Sequence, residues 1–178
     1  MNRLRFTMSF HSAFLSATGQ AADGYDLTLD LENPVRESHL KGVMSDAAAR
    51  VLRFPPARIE QIFGSPAQES PWRWQVTEQQ CARAVVRHRV GIDDDTHCAH
   101  QDMLVRARAG HLDTVAFEVY RVTDPEDLME RTAITCSARA VHRLGGQRRR
   151  GFGWVGVEGG DDLDTTSLSR LRTWVSTA

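Results

Sequence analysis

The segment Leu144–Gly153, LGGQRRRGFG, packs four glycines and three arginines into ten residues. Gly145, Gly146, Gly151 and Gly153 permit tight, left-handed backbone and close approach of another chain. Exposed N–H groups would then share a space with Arg148, Arg149 and Arg150. Successive amides and guanidinium forks suit a track of phosphates. The bland alternative is a solvated helix end whose arginines complement the helix dipole. A second segment, ENPVRESHLKGVM, places Ser38, His39 and Lys41 in the first turn of an expected helix. Free N–H groups at a helix start beside a cation make a phosphate site. Its alternative is plain N-capping by Ser38, with Lys41 solvated.

Other reactive residues are more scattered. His97, Cys98 and His100 lie in a polar excursion from Asp93 to Asp102, and a metal there would need ligands from elsewhere. Gly159-Gly160-Asp161-Asp162 resembles the two-carboxylate metal hairpin of polymerase and cyclase palm domains, but too little chain follows it to complete that fold. A solvated turn before a C-terminal helix is the preferred reading. Trp72 and Trp74 would share one strand face, where they could stack on bases or pack a core. His11 and His88 have no catalytic partner nearby in sequence and read as a strand-end and a sheet residue.

The elements that must position these groups follow from periodicity. Leu4, Phe6, Met8 and Phe10 alternate with polar residues, which predicts a half-buried strand. Residues 16–36 are small, polar and acidic, and read as a functional loop. Leu40, Met44, Ala47 and Val51 predict a helix capped by Ser38 and ending before Pro55-Pro56, and a short helical turn from Ile59 to Phe63 stops at Gly64. Ala82, Ala84, Val86, His88, Val90 and Ile92 alternate with Arg83, Arg87 and Arg89 as a second strand. Met103–Ala107 and Thr114–Val122 follow, the latter with Val115, Phe117 and Val119 on one face. Asp124-Pro125 opens a second helix, with a stripe of Ile134, Ala138, Val141 and Leu144 ended by Gly145-Gly146. Phe152–Val157 is the last strand, and Thr165–Val175 a weak helix. Strand, helix, strand, strand, helix, strand is an α+β, ferredoxin-like (RRM-like) βαββαβ core, an antiparallel sheet with loop and hairpin insertions. A single domain over 1–178 is expected, with its core at about 3–157 and 158–178 as a C-terminal extension.

Composition narrows the function classes. A chain of 178 residues is enough for one well-buried domain. Net charge is −1, which speaks against an indiscriminate nucleic-acid binder. Lys41 is the only lysine; the remaining basic residues are arginines, as a GC-rich coding sequence or phosphate recognition would favour. No apolar run nears the roughly 18–20 residues of a membrane span, so no membrane partner is expected. The start, MNRLRFTMSFHS, lacks the long apolar segment of a secretory signal. Cys81, Cys98 and Cys136 lie far apart without a CxxC, which fits a reducing cytoplasm.

Taken jointly, SHLKG (Ser38–Gly42) and the loop ending Arg150-Gly151-Phe152-Gly153 resemble the RAMP superfamily of CRISPR-associated proteins. IFGSP near Gly64, VGIDDDTHCAHQDML and the strand TVAFEVYRV are similar as well. The resemblance covers roughly residues 3–157 and is strongest to the backbone subunit of type III effector complexes. The family usually has Pro-Gly where this chain has Arg36-Glu37, and a second serine where it has His39. The resemblance implies a crRNA-binding subunit of an antiviral ribonucleoprotein, gripping guide RNA through Ser38, His39, Lys41, Gly145, Gly146, Arg148, Arg149, Arg150 and Gly151. It implies target RNA, other effector subunits and head-to-tail copies of itself as partners. It also implies a β-hairpin thumb around the 93–102 excursion. Cleavage of target RNA would use an aspartate in the loop before the first helix, Asp26 by spacing, with Asp30 and Asp23 as alternatives and Mg²⁺ as the cofactor. Two other roles in the superfamily remain open. One is a guide-processing endoribonuclease using His11 or His39 as acid or base; the other is a non-catalytic capping subunit.

Overall fold

The computed structural model describes residues 3–16, 24–25, 29–99, 103–122, 127–147 and 150–177. In chain order its elements are β1 (Leu4–Phe10), α1 (Glu37–Arg50), α2 (Pro56–Phe63), β2 (Trp72–Gln79), β3 (Arg83–Arg89), β4 (Val105–His111), β5 (Thr114–Arg121), α3 (Leu128–Arg139), β6 (Val155–Gly159) and α4 (Thr165–Ser176). Four strands form an antiparallel sheet ordered β2-β5-β1-β6. The expected ferredoxin-like core is therefore present, with β1 central and β3–β4 inserted as a separate two-stranded hairpin.

Alternation dictates which sheet face is covered. Leu4, Phe6, Met8 and Phe10 are buried together with Val115, Phe117 and Val119, and Phe6 stacks on Phe117 at 5.1 Å. α1 and α3 pack against each other. Both carry small buried residues, Ala47 and Ala48 on α1 and Ala133, Ser137 and Ala138 on α3, which suits close approach. The opposite sheet face is polar. There Glu118 accepts from Arg3 at 2.6 Å and from Arg5 at 3.1 Å, and these bonds, that of Arg3 foremost, hold its carboxyl below the usual range.

Several boundaries differ from the sequence reading, each for a tertiary reason. Asp124-Pro125, expected to open the second helix, lies outside the described residues; Asp127 caps α3, accepting from the Met129 N–H. Ser38 is not the cap of α1: the helix starts one residue earlier after an extended Arg36, with no side-chain cap. Its entry is fixed at long range instead, by buried Val35 donating its N–H to Gln79 Oε1 at 3.1 Å. α3 stops at Arg139, short of Leu144. The chain leaves it so that His142–Leu144 can pair with Gly153–Val155, while Val141 and Leu144 stay buried and so imitate a helical stripe. The core strand missing from the sequence order is β2, with Trp72 and Trp74 buried on its inner face rather than open for bases. β3 is a strand as expected but covers its other face. Val85 packs on Ala107 and Ala109, whereas Val86 and Val90 are exposed. α4 forms with a capping box between Asp164 and Ser167, and buries Leu171 in the main core.

One buried charge ties these layers together. Glu130 on α3, 2% exposed, accepts from Trp72 Nε1 and Gln61 Nε2 at 2.8 Å each and from Arg121 at 2.9 Å. Removing one partner from a buried pair leaves the other charge without compensation. Glu130→Ala should therefore cost about 3–5 kcal/mol in urea unfolding. Glu130→Gln, which keeps an acceptor for Trp72, should cost less. A loss below about 1 kcal/mol for the alanine variant, the level of an ordinary substitution, would show that Glu130 is not the tie.

Candidate functional site

Past the end of β1 the chain continues as a backbone rail. Phe14 exchanges backbone hydrogen bonds with Gly110 on β4, at 2.8 and 3.0 Å. On its other side the rail meets the glycine–arginine loop. Gly146 donates to Leu15 O at 2.6 Å and Gly153 donates to Ala13 O at 2.9 Å. Leu144 donates to Gly153 O at 2.8 Å, closing the loop on itself.

At two of the loop glycines there is no room for a side chain. Gly145 has φ +86, and a Cβ there would lie 2.2 Å from Leu15 O. Gly153 has φ +69, and its Cβ would lie 1.9 Å from Leu144 O. Gly151 differs: at φ +81 it has nothing within 4 Å, so its backbone stands bare. Two of the four glycines therefore serve packing, and one serves an open loop crown.

The loop borders two cavities. One, of about 490 Å³, is lined by Ser38, His39 and Gly42 from the start of α1, by Gly145 and Gly146, and by Ser16 from the rail. The two segments that the sequence singled out are thus brought together. Ser16 Oγ lies 3.0 Å from His39 Nδ1. Burial pushes the His39 pKa below its ordinary value, and the nearby charge of Arg36 adds to that. A neutral imidazole and a hydroxyl are hydrogen-bonding groups suited to ribose hydroxyls and phosphate oxygens alike. Lys41 is not among the lining residues; its Nζ stands 5.7 Å from the Trp74 ring.

The second cavity, of about 650 Å³, lies on the other side of the loop, against the hairpin. Arg150 and Gly151 line it, so the described arginine of the run belongs to this cavity and is not among the residues lining the first. Arg148 and Arg149 lie outside the described residues. Beside this region Trp154 is 45% exposed, with the Arg143 guanidinium 4.2 Å from its ring centroid. The sequence reading missed Trp154 and His111. Exposure of a lone tryptophan leaves no periodic trace, and His111 ends a strand as any polar residue would.

The remaining candidates resolve individually. Asp26 and Asp23 lie outside the described residues, as does His100. Asp30 Oδ1 accepts from the N–H groups of Glu32 and Asn33 at 3.0 Å each, holding a local turn. Asp161 of the Gly-Gly-Asp-Asp turn is gripped by Arg131 through two bonds of 2.8 and 2.7 Å, the contact of an ion pair. Among the described residues, no group of three or more His, Cys, Asp or Glu side chains is placed to hold a metal ion. Among them also, no helix is long and apolar enough to cross a membrane.

No family model matches the sequence, and no curated protein matches it. At the level of structure the chain is similar to one in the cryo-EM structure of the type III-B Cmr-beta bound to cognate target RNA. The TM-score is 0.64 at 12% identity, over 89% of this chain and 61% of that one. The two share a fold, and this chain matches less than two thirds of its neighbour's length.

The glycine geometry makes a contrast that can be measured. Gly145→Ala and Gly153→Ala force a Cβ into a carbonyl oxygen at positive φ, and each should lower stability by about 2–4 kcal/mol. Gly151→Ala meets only the backbone preference and should cost about 1 kcal/mol. Thermal or urea melts of the three variants check the order; equal losses would mean that the rail contact does not set the loop.

Proposed function

We propose that this protein is an RNA-binding subunit that grips the sugar–phosphate backbone of a guide RNA. It acts as a backbone subunit of a type III-like CRISPR ribonucleoprotein in antiviral defence. Its partners in this reading are crRNA, target RNA, other effector subunits and neighbouring copies of itself packed head to tail.

The observation that carries the reading is the convergence of Ser38, His39 and Gly42 with Gly145 and Gly146 in one cavity. Such a site presents the Ser16 and Ser38 hydroxyls, the His39 imidazole and close glycine backbone, which suits recognition by phosphate and 2′-hydroxyl rather than sequence. The shared fold with a chain from an RNA-bound Cmr-beta assembly supports the same reading. The alternative RNA surface of this fold class, the open sheet face, is a poorer candidate. RRM-type domains stack bases on aromatics there, whereas the centre of this face holds Thr7, Ala116 and the Arg3–Glu118–Arg5 ion pairs. The function proposed is binding, and the carboxylate of Asp30 holds a local turn.

Replacing Arg148, Arg149 and Arg150 together with alanine should weaken binding of single-stranded RNA while leaving the melting temperature nearly unchanged. Each lost phosphate contact lowers the slope of log affinity against log salt by about 0.7, so the triple variant should lose about 2 from that slope. A folded variant with undiminished RNA affinity and an unchanged slope would remove the loop from the RNA grip.

A further inference from the structure

The cavity between the loop crown and the hairpin has a composition that the guide-grip reading does not use. Its lining includes His11 from the end of β1, Arg87 and Arg89 from β3, His111 from the end of β4, and Arg150 from the loop. Among the described residues no acidic side chain lines it, in a protein whose net charge is −1. Its floor is apolar, with Ala13, Val85 and Phe152 drawn from the small second core. We propose that this cavity is a second RNA site, which takes a backbone phosphodiester of the same single-stranded RNA and grips it more tightly when its histidines are protonated.

The chemistry follows from the groups present. Guanidinium forks match phosphate oxygens in pairs and stay charged at every working pH. An apolar floor lowers the local dielectric, so each charge on the wall counts for more than it would in open water. Gly151 leaves the loop backbone bare at the rim, with nothing within 4 Å of where a side chain would begin. An RNA strand passing from the α1 cavity over the loop would meet this wall next, because Gly145-Gly146 borders the first cavity and Arg150-Gly151 the second.

Protonation supplies the distinguishing signature. Histidine is the side chain whose ordinary titration falls between about pH 5 and 8. A phosphate bound beside an imidazolium favours the charged form and so raises that pKa in the complex. The added affinity is then fully present below the pKa of the free protein, and is lost as pH rises through the pKa of the complex. Other charges among the described residues flank the site. Arg83 Nη2 lies 3.4 Å from His111 Nδ1, and Asp113 lies 4.0 Å from that nitrogen and 3.9 Å from Arg83. Asp113 is largely exposed and does not line the cavity. Arg106 and Arg108 sit on the opposite face of the hairpin from Ala107 and Ala109, and alternation gives that face to the His88 side chain as well, which stands opposite Arg106. His39, in the other cavity, titrates lower through its burial and the charge of Arg36.

The site rests on the RNA-binding reading, and one experiment separates the two. The anisotropy of a fluorescein-labelled single-stranded RNA is titrated with the full chain at constant ionic strength, from about pH 5.5 to about pH 7.5. Affinity should tighten about tenfold toward the acid end, the equivalent of one pKa unit on one histidine. The combined His11→Gln and His111→Gln variant should flatten that dependence to within about twofold. Side-chain NMR of the wild-type histidines, with and without RNA, keeps the test independent of how the double variant folds. The resonances of His11 and His111 should titrate at higher pH with RNA than without it. RNA that binds with no pH dependence, or histidines that titrate identically with and without it, overturns this site and leaves the guide grip standing. RNA that binds at no pH overturns both.

Discussion

Everything at the working end of this protein hangs on a backbone touching a backbone. The extension of β1 carries carbonyls at Ala13 and Leu15 that accept from Gly153 and Gly146. A Cβ on Gly145 would run into Leu15 O of that extension and one on Gly153 into the loop's own Leu144 O, which is why both are glycine. The same extension bonds to Gly110 of the hairpin. One strip of main chain thus joins the loop, the hairpin and the central strand. The first cavity opens where the loop meets α1, and the second where it meets the hairpin.

The fold was legible wherever periodicity and burial agree. β1 and β5 alternate and are buried on the alternating face, and α4 carries its own capping box. Legibility failed where long-range pairing overrules local pattern. The stripe Ile134, Ala138, Val141, Leu144 is fully buried, yet only its first half is helical, because residues 142–144 pair with 153–155. β3 alternates without a large core behind it, so which face is covered depended on partners that the strand itself does not name. β2 shows only a short alternation, Trp72, Trp74 and Val76 against Arg73 and Gln75, before a bulge between Val76 and Glu78 breaks it.

The candidate site divides in the same way. Glycine and the helix start carry their meaning in local sequence, and the structure places Ser38, His39 and Gly42 against Gly145 and Gly146. Lys41 could not be placed by its position in the motif, since its neighbour is Trp74 and that contact depends on β2. The histidine and arginine cavity was invisible for a different reason. Its residues come from four separate segments, and each alone reads as an ordinary strand-end or surface residue. The Gly-Gly-Asp-Asp turn shows the reverse error, in which a recognisable pattern is employed otherwise: its first aspartate is tied to Arg131.

The central claim is that RNA runs along the loop that the β1 extension supports. Ultraviolet crosslinking of bound single-stranded RNA to the full chain, with crosslinked residues mapped by mass spectrometry, tests it directly. The account predicts crosslinks within residues 144–154 and 38–42. Crosslinks confined to the open sheet face, around Thr7, Thr77 and Ala116, with none on the loop, would contradict it.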